Sequence, residues 1–219
     1  MPEAAQRERR AAGYESARAD VQSLVPASAR RILELGCAGG ALGAAIKARQ
    51  QAVVVGVELD AAYAREAEGR LDRVITADAA AFAAGPPPPE APFDCLIAAD
   101  VLEHLVDPWA ALRGAAAMLA PGAVAVVSLP NVLFWGVLAR LIRGRSWPRE
   151  DSGLFDRTHL RWFSTSDAVA LLEQAGFGQV EVHPRYWVEG AALRRRERLA
   201  RTPLRPYLAP QNILTAVKA

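Results

Sequence analysis

A short apolar run that breaks on a cluster of tiny residues constrains this chain more than any other feature. Arg31-Ile-Leu-Glu-Leu35 is β-compatible and leads directly into Gly36-Cys-Ala-Gly-Gly40. Small residues there let the backbone turn tightly and approach a ligand. Residues 41–50 then read as a helix, with Leu42, Ala45 and Ile46 on one face. Ala52 to Leu59 follows as a continuous apolar run ending in an acid, the pattern of a strand buried on both faces in a parallel sheet.

The alternation continues. Ala61 to Leu71 is a helix candidate, and Arg73 to Ala77 a short strand ending at Asp78. Pro86 to Pro89 mark a stiff loop. Phe93 to Ala98 is a fourth strand, followed by Asp100. Trp109 to Leu119 reads as a helix closed by Pro121-Gly122, and Ala123 to Leu129 as a fifth strand. Repeated β-α units argue for a doubly wound sheet with right-handed crossovers. After Pro130 the rhythm breaks. Residues 131–163 read as an insertion or lid containing an apolar helix, Leu133 to Ile142. Ser166 to Ala175 resumes as a helix with Ser164 or Ser166 as cap. Gly178 to Val188 is a strand candidate, Glu189 to Arg201 a basic helix and Asn212 to Lys218 a final strand. The expected organisation is one α/β domain over 1–219. A core spans about 30–131, a lid about 131–163 and a C-terminal half about 164–219.

Composition removes several function classes. Lys plus Arg number 26 against 24 Asp plus Glu, a net charge of +2, which does not suit a generic polyanion binder. Two cysteines, Cys37 and Cys95, exclude a disulfide scaffold and a Cys-rich zinc site, and no metal centre is read. No apolar run reaches bilayer-spanning length. The first twenty residues lack the apolar centre of a secretory signal, so a cytoplasmic setting is expected.

The chemistry-bearing residues gather at strand ends. Glu34 precedes the glycine turn, Glu58 ends the next strand 22 residues beyond Gly36, and Asp78 ends the third. In an open α/β sheet ligands sit outside the carboxyl ends of the strands. A carboxylate at Glu58 can accept hydrogen bonds from both hydroxyls of a ribose. A dinucleotide site would need G-x-G-x-x-G/A, but here the three positions are Gly36, Ala38 and Ala41. The glycine that admits a pyrophosphate is lost, and Glu34 would repel one. A phosphate-binding P-loop lacks its Gly-Lys-Ser/Thr. A cationic ligand carrying a ribose and an amino-substituted base fits three acids better.

At this point the sequence resembles the class I S-adenosylmethionine-dependent methyltransferases, and within them the small-molecule branch that includes ubiquinone-biosynthesis O-methyltransferases. ILELGCAGG, VVVGVELD, ITADA, FDCLIAADVLEHLVDP and MLAPGAVAVVSLPNV stand in that family's order and spacing. The likeness covers Arg30 to Asn131 and extends to Asp156–Ser164 and Ala175-Gly-Phe177. It implies a Rossmann-like, mostly parallel seven-stranded sheet with helices on both faces. It implies S-adenosyl-L-methionine as cofactor and direct methyl transfer to a small-molecule acceptor, with O-methylation the leading expectation. By motif, Gly36, Ala38 and Gly40 line the methionine and ribose, and Glu34 contacts the amino-acid end, directly or through water. Glu58 binds the ribose hydroxyls, with Leu59 beside it. Asp78 meets the adenine amino group, with Ala79 by the ring, and Ala99 or Asp100 lies by the methionine tail. Ala38 departs from the Gly that many relatives carry.

Other residues keep two readings. His104 is a general base for a nucleophile's proton, or a helix residue that holds structure. Glu103 orients substrate, binds a metal as in quinone-type relatives, or caps. His159, in Asp156-Arg-Thr-His159, faces substrate or belongs to a polar network anchoring the next helix. His183 reads as ordinary. The 133–142 helix packs on the site's mouth, covers a hydrophobic acceptor, or touches a membrane surface. Glu197 within the Arg194–Arg201 run favours a solvated helix over a nucleic-acid contact. A catalytically silent cofactor-binding protein, or a protein or nucleic-acid methyltransferase on the same fold, is the alternative. Ala98-Ala99-Asp100-Val101 lacks the Pro-Pro motif of nucleic-acid amino-methylating enzymes.

Overall fold

The computed structural model describes residues 16–188 and 190–219. Glu189 and residues 1–15, most of the stretch read as lacking a secretory signal, lie outside the described residues. Seven strands form one sheet in the order β3-β2-β1-β4-β5-β7-β6. The first three are β1 (Arg31–Leu35), β2 (Val53–Glu58) and β3 (Arg73–Thr76). They are followed by β4 (Phe93–Ala99), β5 (Leu119–Pro130), β6 (Phe177–Arg185) and β7 (Gln211–Lys218). β7 runs antiparallel to both β5 and β6, and the remaining pairs are parallel. This is the Rossmann-like sheet that the family resemblance implies.

Continuous apolar runs are explained by burial on two faces. Leu33, Leu35, Val55, Val57, Leu96 and Ala98 enter one core cluster. Ile32, Val54, Cys95 and Ile97, offset by one residue, enter the other. Each buried Val, Leu or Ile among them contributes about 1.5–3 kcal/mol. Alternation puts Glu34 on the same face as Ile32. The strand order reverses between β1 and β4, and there a cleft opens beyond the strands' carboxyl ends.

The helices are α1 (Ala19–Gln22), α2 (Ala41–Arg49), α3 (Ala61–Glu68) and α4 (Ala79–Ala83). They continue with α5 (Pro108–Ala117), α6 (Trp135–Gly144), α7 (Thr165–Gln174) and α8 (Gly190–Leu199). Several boundaries differ from the sequence reading for local reasons. Pro121-Gly122 does not close α5. It lies in a bulge where β5 advances five positions, from Leu119 to Val124, while β4 advances two, from Phe93 to Cys95. Gly122 takes a left-handed φ of 76° there. α6 starts after Phe134 because the Asn131 carbonyl accepts from Phe134 N and its side chain from Leu133 N. Ser164, not Ser166, caps α7, in a reciprocal box with Asp167. β6 stops at Arg185, and its register shifts between Gly178 and Glu181, around Gln179 at φ 51°.

Candidate active site

The glycine turn is pinned to the end of β2. Gly36 N and Cys37 N both donate to the Val57 carbonyl, at 2.8 and 3.1 Å, and Gly40 N donates to Cys37 O at 2.8 Å. Gly36 needs its left-handed φ of 69°, and a Cβ there would meet Val101 at 3.0 Å. Ala38 also sits at positive φ, 46°, where a side chain costs energy. The turn floors a cleft of about 1010 Å³ lined by residues from β1, β2, β4 and the segment after β5. Every residue expected at the cofactor site lies on this lining except Gly40. Gly40 is instead the left-handed N-cap of α2, packed against Ala67 and Leu71.

Glu58 is held ready by backbone. Its Oε2 accepts from Ala38 N and its Oε1 from Asp60 N, each at 2.8 Å. A carboxylate has about four lone-pair positions, so one on each oxygen is left for two adjacent hydroxyls. Asp78 turns out to cap α4, its Oδ1 accepting from Ala80 N and Ala81 N at 2.9 Å, and the residue lines the cleft. Leu59 is exposed on the cleft lip, and Ala79 is buried behind Asp78.

Glu34 departs from the expected ionised carboxylate. It is 3% exposed, and its Oε2 has no hydrogen-bond partner among the described residues. Burial, followed by the nearby Glu58, pushes its pKa up to about 8, against a backbone hydrogen bond from Gly43 that works the other way. At neutral pH the ligand-free side chain is therefore protonated. Gly43 makes the room, since a Cβ there would lie 2.8 Å from Glu34 Oε2. An incoming cation would favour the ionised form. The same burial, with Glu34 and Glu58 nearby, raises the Cys37 thiol far from reactivity. Cys95 is also held protonated by burial.

Arg18, which sequence reasoning missed, closes one side. Its side chain is 11% exposed and pairs with Asp100 and Asp20. Its Nη2 donates to Ser128 Oγ at 3.1 Å, and Ser128 donates to Asp100 Oδ1 at 3.0 Å. Gln211 of β7 also donates to Asp100. Burial works against the Arg18 charge, yet the Asp100 and Asp20 carboxylates outweigh it and raise its pKa. Asp100 itself sits at φ 59°. Arg18 lies 82 positions from Asp100, so no local motif joins them.

The opposite wall holds the histidines. His104 ends a short 3₁₀ turn, Leu102–His104, and His159 stacks edge-on against it with ring centroids 4.7 Å apart. His104 Nδ1 lies 3.0 Å from Thr158 Oγ1 and 3.2 Å from the Thr158 carbonyl. Thr158 Oγ1 spends its proton on Asp156 Oδ1 at 2.6 Å. Both groups facing Nδ1 are thus acceptors, which assigns the ring proton to Nδ1 and leaves Nε2 as the basic nitrogen. Burial and the His104 ring lower the His159 pKa to about 4, so it is neutral at physiological pH. Glu103 is 1% exposed, with Oε2 unpartnered among the described residues. Burial, followed by the nearby Asp100, raises its pKa well above the ordinary carboxylate range. Glu103, His104 and His159 each bring one ligand atom within 4.8 Å of the others, a carboxylate–imidazole set suited to a divalent cation. The sequence reading did not assemble this trio. His183 stays apart on β6, bonded to Thr215 at 3.1 Å.

Comparison with known proteins bears on the family and the fold. A family model described as a methyltransferase domain matches residues 5–182. The ubiquinone biosynthesis O-methyltransferase of Azorhizobium caulinodans is 36% identical over 120 residues, covering 51% of this chain and 45% of that protein. The Xylella fastidiosa protein of the same name is 34% identical over 118 residues, covering 51% and 46%. The chain thus spans less than half the length of these curated relatives. Among solved structures, a Thermotoga maritima methyltransferase described as a possible histamine N-methyltransferase superposes with a TM-score of 0.69. It has 18% identity and covers 99% of this chain and 96% of that one. A Haemonchus contortus phosphoethanolamine N-methyltransferase, solved with S-adenosylhomocysteine, gives a TM-score of 0.59 at 16% identity. It covers 86% of this chain and 48% of that one. At these identities the structural likeness speaks to fold alone.

Proposed function

The chain belongs to the class I S-adenosylmethionine-dependent methyltransferases, and from that premise we propose that it methylates a hydroxyl oxygen of a small organic acceptor. The observation that carries the reading is the pairing of a built cofactor cradle with an oriented imidazole across one cleft. The cradle suits the cofactor. Glu58 offers its remaining lone pairs to a ribose, Asp78 lies at the adenine position, and the unpartnered Glu34 Oε2 awaits a cationic amino-acid end. Arg18, beside Asp100, supplies the positive charge that a ligand carboxylate needs.

When bound, S-adenosylmethionine supplies a methyl group on a sulfonium that leaves readily. The protein's own work is alignment and proton removal. Alignment of two reactants accounts for roughly 7–11 kcal/mol of a barrier. His104 is the general base in this reading. The Asp156–Thr158 relay fixes its tautomer, so Nε2 takes the acceptor's proton. His159, neutral beside it, keeps the pair from carrying two charges and lowers the polarity of the wall. Such a base contributes about 10²–10⁴-fold. The likeness to O-methyltransferases over half the chain supports oxygen as the acceptor atom. A cytoplasmic setting suits a cofactor made there.

A second reading rests on the trio within 4.8 Å: a divalent cation on Glu103, His104 and His159 would acidify the acceptor hydroxyl instead. Transfer of labelled methyl to a panel of hydroxylated aromatics tests both. The base reading predicts that His104→Ala lowers kcat at least 100-fold with cofactor affinity unchanged, and that EDTA has no effect. Loss of activity with EDTA, restored by a divalent metal, would replace the base with the metal. Full turnover in His104→Ala without metal would discard both.

A further inference from the structure

One cation on the cleft lining has no part in the cofactor cradle. β7 runs antiparallel, so its first residue, Gln211, pairs with both Arg185, the last of β6, and Pro130, the last of β5. All three line the cleft. Trp187, half-exposed just beyond β6, lines it too, whereas Tyr186 between Arg185 and Trp187 does not, the alternation of an extended chain.

Arg185 is held from two sides. Its Nε pairs with Asp20 Oδ2 at 2.7 Å, and its Nη1 donates to Gln211 Oε1 at 2.7 Å. Gln211 is buried and its amide nitrogen donates to Asp100, so its oxygen is the end that faces Arg185. Neutralising Asp20 does not explain Arg185, because Arg18 already donates to both Asp20 oxygens, at 3.0 and 3.3 Å. Nη2 of Arg185 makes no hydrogen bond among the described residues. A guanidinium fixed in place with donors to spare is a preorganised receptor for an anion.

The lining left over once the cofactor residues and Arg18 are assigned narrows the chemistry of that anion. Among the described residues it holds one arginine, Arg185, no lysine, and one tryptophan, Trp187, alongside Val101, Leu105, Leu154 and the two histidines. An indole and aliphatic side chains suit a flat apolar ring. The guanidinium fork matches a carboxylate. Asp20 and Asp100, joined to Arg185 directly and through Gln211, repel a phosphate dianion more than a single negative charge. We propose that Arg185 and Trp187 form the acceptor-recognition subsite, and that the acceptor is a hydroxylated aromatic carboxylate. Arg185 takes the carboxylate and Trp187 covers the ring, which leaves the hydroxyl for His104. The assignment of this part of the cleft to the acceptor rests on the methyltransferase reading.

The test is calorimetric titration of the full chain, loaded with S-adenosylhomocysteine, with protocatechuate and with its methyl ester. The two probes share ring and hydroxyls and differ in charge. The acid is expected to bind about tenfold more tightly than the ester. Arg185→Gln should remove that difference by weakening the acid alone, and Trp187→Ala should weaken both probes about fivefold, each with S-adenosylhomocysteine affinity unchanged. Unchanged affinity shows that the fold and the neighbouring Arg18–Asp20 pair survive. Arg185→Lys keeps the charge and loses the fork, so its preference for the acid should fall to about threefold. Equal affinity of the wild-type chain for acid and ester, no binding of either, or a tenfold preference that survives both Arg185 variants would each overturn the subsite. Binding as expected with no methyl transfer to the acid would support the subsite and count against the O-methylation reading instead.

Discussion

Ala38 and Glu34 show how single residues set the behaviour of the cradle. Ala38 holds φ 46°, a region that costs a Cβ-bearing residue roughly 1–2 kcal/mol and glycine little. Glycine also loses more chain entropy on folding. The net expectation for Ala38→Gly is a gain of up to about 1 kcal/mol in urea unfolding with cofactor binding retained. Glu34 adds a pH dependence. With its ligand-free pKa near 8, a cation can pair with it only after a proton leaves. Cofactor affinity is therefore expected to rise from pH 6 to 8 and level off above. Glu34→Gln should flatten that rise, as measured by tryptophan quenching across the range. The types and spacing of Glu34, Gly36, Glu58 and Asp78 were legible in the sequence because they fall at the ends of three successive strands, each followed directly by a helix. The Glu34 protonation state was not, because it depends on burial beneath α2 and on the Glu58 charge from another strand. Arg18 escaped for a related reason: its partners Asp100 and Ser128 come from two segments distant in sequence.

Elements were legible where burial on two faces leaves an apolar run. β1, β2 and β4 follow their runs to within a residue or two. Boundaries failed where side-chain bonds decide them. Asn131 delays α6, and the β5 bulge takes Pro121-Gly122 out of the helix-closing role. α7 offers a direct check. Ser164 accepts from Asp167 N at 3.2 Å while Asp167 Oδ2 accepts from Ser164 N at 3.0 Å. Ser164→Ala should cost about 1 kcal/mol, read as a lowered urea midpoint with unchanged m-value. An equal midpoint would mean that the box adds nothing to α7. His104 and His159 lay 55 positions apart and kept open readings, and only the packing of the 150–160 loop on the 3₁₀ turn brings them together. The tautomer argument likewise needs Asp156 and Thr158 in place.

At the scale of the whole molecule, buried ionisable groups tie stability to the state of the cleft. Glu34 and Glu103 have raised pKa values, so each favours the folded state at low pH and loses that advantage as pH rises. For Glu34 the loss runs from 4.5, the ordinary value, to about 8. His159 is lowered from 6.5 to about 4, so its contribution is present above 6.5 and lost as pH falls through that window. The trends oppose each other below 6.5, and above it the glutamates act alone. The ligand-free protein should therefore be less stable at pH 8 than at pH 6.5, by about 2 kcal/mol from Glu34. Urea unfolding at the two values checks this, and equal stability would contradict the assigned Glu34 burial.

The functional reading depends on the cleft over the glycine turn holding S-adenosylmethionine through Glu58. Calorimetric titration of that molecule into the wild-type chain and Glu58→Ala tests the assumption most directly. The account predicts one site per chain, proton release below pH 8, and at least tenfold weaker binding in the variant. Equal affinity in Glu58→Ala, or heat only from a nicotinamide dinucleotide, would contradict it.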